Sequence, residues 1–143
     1  MKIANCFVLV LVVLLAGCDR PKKDYSQRFY EADNNNRMRS ICAAVSLYVM
    51  EKKSLPATIN QLTMETYGYY NERTETDERR PFLMERCAVD TNGNPFEIKF
   101  TDDDNDVTTE LDEDGVTLTV RGYGRDGQPR TDDDVLMHEF ITP

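Results

Sequence analysis

Residues 38–56 read MRSICAAVSLYVMEKKSLP. Met38, Ile41, Cys42, Val45, Tyr48 and Val49 recur at spacings of three and four, which aligns them on one face of a helix. That stripe needs a surface to bury against. Three short segments downstream supply one: 96–101, 107–111 and 116–121 are rich in β-branched or aromatic residues, with alternation such as Phe96, Ile98, Phe100. Turn-forming runs at 102–106 and 112–115 separate them. A long helix followed by an antiparallel meander is an α+β arrangement, one helix packed on a small sheet.

Outward from the stripe, the helix is expected to stop before Pro56, because proline disfavours helix in the residue preceding it. Upstream, Asp33 and Asn34 to Asn36 are weak helix formers. Either the helix begins there with an Asp or Asn cap, or a longer helix runs through them. Residues 19–32 are polar and charged and read as a tether, with helix open to it beyond Lys23. A short second helix is expected over 58–66, where Ile59 and Leu62 give an apolar edge. Residues 71–80, NERTETDERR, carry no apolar side chain and read as an exposed loop. Tyr67, Tyr69 and Tyr70 beside it read as a cap on the core in preference to a partner-facing patch. Residues 90–95, DTNGNP, form a turn, and 135–142 a last strand or tail.

The N-terminus carries an address. After Met1-Lys2, residues 6–16 read CFVLVLVVLLA without a charge. The run is shorter than the roughly 20 residues a membrane span needs, and it fits the apolar core of a secretory signal. Leu15-Ala16-Gly17-Cys18 follows and resembles the bacterial lipobox, with cleavage before Cys18 and acyl chains on its thiol. Two or more acyl chains hold a protein stably on a bilayer. Asp19 resembles the retention signal of enterobacteria-like lipoproteins, which implies the periplasmic face of the inner membrane. The expected organisation is a signal peptide at 1–17, an anchor and tether at 18–32, and one globular domain at 33–143.

Cleavage removes Lys2 and leaves 16 basic against 26 acidic residues, a net charge of −10. Such a surface repels nucleic acid and anionic lipid and favours cations. Two cysteines remain, Cys42 and Cys87. In an oxidising compartment a lone pair is most simply a disulfide, worth about 4 kcal/mol for a loop of this length. The alternative is two buried thiols.

Residues 122–135 read GYGRDGQPRTDDDV. Glycines and proline turn the chain tightly, with one aspartate near the start of the loop and three near its end. Calcium takes six to eight oxygens from carboxylates and carbonyls, so a loop folded back on itself can bring Asp126 against Asp133 and Asp134. An acidic run is equally a solvated surface. An EF-hand is excluded: Asp102-Asp104-Asp106 is followed by Val107 in place of glycine, and the loop ending in Asp114-Gly115 has Arg121 at its twelfth position.

Three motifs in order resemble the globular domain of the major pseudopilin of type II secretion systems, across roughly residues 30–136. A helix runs into Ser54-Leu55-Pro56 and then Gln61-Leu62; Asp90-Thr91-Asn92-Gly93-Asn94-Pro95-Phe96 is similar to that family's Asp-Pro-Trp-Gly-Asn-Pro-Tyr turn; and Gly124-Arg125-Asp126-Gly127 with Asp133-Asp134 is like its calcium loop. The resemblance implies a pilin-like fold and a structural calcium ion. Asp126, Asp133 and Asp134 would be its side-chain ligands and Tyr123 and Thr131 its carbonyl ligands, with Asp132 a competing acid. It also implies other pseudopilins or secretion-system proteins as partners. One departure matters: the chain has a lipobox where pseudopilins have a prepilin peptidase site, an apolar assembly helix and its guiding glutamate.

Nothing recommends an enzyme. His138 is the only histidine, and no phosphate loop, metal-hydrolase spacing or nucleophile elbow is present. Two non-enzymatic readings remain: an accessory part of a type II secretion or pilus-like machine, and a stand-alone periplasmic binding module. Secretion genes beside this one would favour the first.

Overall fold

The computed structural model describes residues 25–124 and 126–143. The signal segment and the expected lipidation site at Cys18 lie outside the described residues. Helix α1 covers Tyr25–Lys52 and is followed by a short helix α2, Ile59–Met64. Strands β1, Thr66–Asn71, and β2, Thr76–Pro81, pair as an antiparallel ribbon. A 3-10 turn at Glu85–Cys87 leads to β3, Glu97–Thr101, β4, Val116–Gly122, and β5, Val135–Ile141. These three strands form one antiparallel sheet in the order β3-β4-β5.

The α1 stripe is buried as its spacing requires: Met38, Ile41, Cys42, Val45, Tyr48 and Val49 all lie in the core, joined by Ala44. The opposing surface is one face of the sheet. Val116, Leu118 and Val120 alternate with half-buried residues along β4, and their cross-strand partners include Phe100, Ile98 and Ile141. Cross-strand partners share a face, so Glu97, Lys99, Thr119, Arg121 and His138 lie on the other one. The helix ends where Lys53 turns left-handed, at φ 54°, three residues before Pro56. Thr58 caps α2 by accepting a bond from the Gln61 N–H.

Of the two helix starts left open, the longer helix is the one formed: α1 runs through Asp33 to Asn36, where Asn34 is buried and accepts the Thr91 N–H. Three expectations need correction. Residues 71–80 are the turn and second strand of a hairpin. Its polar side chains supply the cross-strand bonds: Asn71 Nδ2 donates to Glu78 at 2.6 Å, Arg79 Nε to Thr66 at 3.1 Å, and the Tyr69 hydroxyl to Glu78. The expected strand at 107–111 reduces to a single bridge between Thr101 and Val107. The expected Cys42–Cys87 disulfide is not formed, and both thiols are free. Cys42 faces the sheet, near Glu139 of β5, whereas Cys87 lines a shallow polar cleft with Asp33, Arg37 and Ser40.

The three tyrosines divide. Tyr67 packs against Phe82 with ring centroids 5.3 Å apart, Tyr69 lies under the Arg80 guanidinium, and Tyr70 is 60% exposed. Among the described residues no helix is long and apolar enough to cross a membrane.

Leu118 is wholly buried between helix and sheet, whereas Met64 is 81% exposed. Leu118→Ala should therefore cost about 3 kcal/mol and Met64→Ala less than about 0.5 kcal/mol. Both are read from urea midpoints at unchanged slope.

Candidate functional site

The apolar stripe of α1 continues toward the N-terminus as a polar one. Tyr30, Asn34 and Arg37 occupy the same face three, two and one turns before Ile41, and all three reach the loop that precedes β3. The Arg37 Nη1 donates to the carbonyls of Arg86, Val89 and Asp90 at 2.9, 2.9 and 3.1 Å, while its Nη2 pairs with Asp33 at 2.9 Å. The Asn34 side-chain oxygen accepts the Thr91 N–H at 3.0 Å.

The Asp90 side chain organises that loop. It is 2% exposed, and Oδ1 accepts the N–H groups of Asn92 and Asn94 at 2.8 Å each. Oδ2 accepts Asn94 Nδ2 at 3.1 Å. A buried carboxylate is tolerable only with such donors. Gly93, at φ 87°, closes the turn in a conformation open to glycine without strain.

Tyr30 joins this turn to the acidic loop. Its hydroxyl lies 3.2 Å from the Tyr123 carbonyl, 3.0 Å from the Gly124 carbonyl and 3.5 Å from Asp90 Oδ2. Burial, and then the Asp90 charge, raise its pKa.

In the acidic loop the expected side-chain ligands come together on one hydroxyl. Thr131 Oγ1 lies 2.6 Å from Asp133 Oδ1, 3.4 Å from Asp126 Oδ1 and 3.5 Å from Asp134 Oδ1. A hydroxyl has one proton to donate, so three carboxylates share a single donor there. Backbone N–H groups hold the remaining geometry: Asp126 to Asp133 Oδ2, Gln128 to Asp126 Oδ1 and Arg130 to Asp134 Oδ2. A Cβ on Gly124 would come within 2.3 Å of the Asp133 carbonyl and carboxylate, so glycine is what lets the loop close.

The two expected carbonyl ligands already accept bonds, Tyr123 from Tyr30 and Thr131 from the Asp134 N–H at 3.2 Å. Thr131 enters the cluster through its hydroxyl instead. Asp132 is exposed and outside these bonds. Among the described residues no three acidic, histidine or cysteine side chains form a ready-made metal-holding group. The set is nonetheless all oxygen, the chemistry that a hard cation takes.

His138 is exposed on the outer face of the sheet, within 3.0 Å of Thr119 Oγ1. Comparison with family models, curated proteins and solved structures yields no significant match. The residues that sequence reasoning missed are Tyr30, Asn34 and Arg37. Their signal was the continuation of the 30, 34, 37, 41 helical period into polar residues.

Removing the buried acceptor with Asp90→Ala should cost about 3 kcal/mol by leaving three donors unmet, and Tyr30→Phe about 1 kcal/mol, both by denaturant melts. The thiols give a separate test. Burial, and then the Glu139 charge, push Cys42 up to about 11, and the thiolate is the reactive form. In the native chain from Asp19 onward at about pH 8 a thiol reagent should label Cys87 alone, and unfolding should release Cys42 as the second thiol. The unfolded Cys42 thiol releases its proton from 9 and the folded one from about 11. Stability should accordingly fall as pH rises through that window, as more protons stay bound to the folded state.

Proposed function

We propose that this chain is a lipid-anchored periplasmic protein with a calcium-stabilised, pseudopilin-like domain, an accessory or structural part of a type II secretion or pilus-like machine. The observation that carries the reading is the convergence of Asp126, Asp133 and Asp134 on the Thr131 hydroxyl. Their mutual repulsion is what a bound cation relieves. Calcium would supply charge neutralisation and a cross-link between the two ends of the loop. The chain's own part is to hold the loop in place, through Tyr30 on the Tyr123 and Gly124 carbonyls and through the backbone donors to each carboxylate.

The α+β architecture supports the reading: one long helix lies over a small antiparallel sheet and the acidic loop joins the last two strands. The lipobox-like Leu15-Ala16-Gly17-Cys18 supports the anchor. With a lipid in place of an apolar assembly helix, the domain would meet its partners from the membrane surface and not from inside a filament core. Acylation on more than one chain gives that attachment its permanence.

Two measurements test this. The chain from Asp19 onward should melt several degrees higher in calcium than in chelator, with magnesium ineffective, since a ligand of the folded state stabilises it by mass action. Asp126→Ala or Asp133→Ala should abolish the rise; equal melting in calcium and chelator would reduce the loop to a solvated turn. In a bacterial host, labelled palmitate should enter the full chain and fail to enter Cys18→Ala. Labelling of both chains alike would remove the anchor.

A further inference from the structure

This acidic chain, of net charge −9, carries a cleft of about 750 Å³ with a basic lining. Lys99, Arg121 and Arg130 line it together with Ile59, Phe96 and Ile98, and the one acid in the lining, Glu97, already accepts the Tyr123 hydroxyl at 2.7 Å. Arg121 is incompletely matched. Its Nε is closed off from solvent and has no hydrogen-bond partner among the described residues, and its ion-pair contact, Asp134 Oδ2, stands off at 3.8 Å. The rest of the Arg121 side chain is about a third exposed, and a carboxylate is the acceptor that suits a guanidinium.

The cleft also runs along the free edge of the sheet. β3 is an edge strand, paired with β4 on one side only. On the other side the Phe96 N–H donates to Ala88 at 3.0 Å and the Phe100 carbonyl accepts Thr108 N–H at 3.1 Å. Backbone groups alternate in direction along a strand, so the N–H and carbonyl of Ile98 point the same way as those of Phe96 and Phe100. No described residue meets them. Ile98 lines both clefts on this flank. The edge is therefore covered above and below and open in the middle.

The geometry points to a docking site here for a short, extended acidic peptide that adds to β3 at Ile98. The two main-chain groups of Ile98 hold its backbone, and the pleat sends its side chains alternately to the two faces of the sheet. On the outer face they meet Lys99 and Arg121, with Arg130 nearby, which calls for carboxylates. On the inner side they meet Ile98 and Ile59, which calls for apolar residues. The preferred partner segment thus alternates acidic and apolar residues. Lys99, Arg121 and Arg130 are not themselves expected calcium ligands, but Arg121 contacts Asp134 and the Arg130 N–H bonds its carboxylate, so the cleft adjoins the proposed calcium loop.

The test is fluorescence anisotropy of a labelled, C-terminally amidated hexapeptide of alternating valine and glutamate, titrated with the full chain in detergent micelles. Saturable binding is expected, weakened about tenfold by Arg121→Gln or Arg130→Gln and unchanged by Arg79→Gln on the distant ribbon. Arg130 is exposed, so its variant reads the contact even if Arg121→Gln disturbs folding. N-methylating the peptide on alternate residues should cost a similar factor, and a valine–lysine peptide should not bind. The proposal is overturned by absence of saturable binding, by equal weakening in Arg79→Gln, or by full retention with the N-methylated peptide. Displacement by free glutamate at matching concentration would also overturn it, leaving a small-carboxylate site only.

Discussion

The face that α1 turns toward the rest of the chain changes chemistry along its length, and the structure depends on both halves. From Met38 to Val49 it is apolar and closes over Val116, Leu118, Val120 and Ile141. From Tyr30 to Arg37 it is polar and holds the main chain of the 86–94 loop and of Tyr123 and Gly124. The apolar half supplies the stabilisation, since the burial is roughly proportional to apolar area. The polar half supplies position, because each bond has one geometry and each loop carbonyl or N–H that it meets would otherwise be left unpaired near the core.

Aspartate plays opposite parts at the two ends of this polar half. Asp90 is buried and surrounded by more donors than it has charge, two backbone N–H groups and an amide. Asp126, Asp133 and Asp134 converge on the Thr131 hydroxyl, with a backbone N–H reaching each of them as well. The first arrangement is self-sufficient and works as a structural post. The second gathers three like charges around one side chain, and Tyr30 places the two within one network. The basic cleft beside β3 shows the converse imbalance, a guanidinium short of an acceptor.

Much of this was legible in the residues. The stripe from Met38 to Val49, the strands around Phe100, Leu118 and Val120, and the turn at Asp90 all followed from period and turn chemistry. The β1–β2 ribbon was not, because its strands bury almost nothing: Glu78, Asn71, Thr66 and Arg79 bond to one another across it, and such pairing leaves no hydrophobic alternation to read. The segment 107–111 misled for the reverse reason. It has strand-forming residues, yet Val107 is 67% exposed and only its bridge to Thr101 forms, so propensity had no packing to support it.

What the sequence by itself determined is the set of elements whose residues must be hidden from water: one long helix with a buried stripe, two adjacent strands of the sheet beneath it, and a loop rich in aspartate. Water decides those, and the pattern of apolar residues records its decision locally. What only the tertiary structure decided is which polar groups meet. The bond from Asn34 to Thr91 spans 57 residues and that from Tyr30 to Gly124 spans 94. The convergence of three aspartates on Thr131, the open edge at Ile98 and the separation of Cys42 from Cys87 are likewise matters of three-dimensional placement. Hydrogen bonds and charges act through direction and distance, and neither is written in the order of the residues.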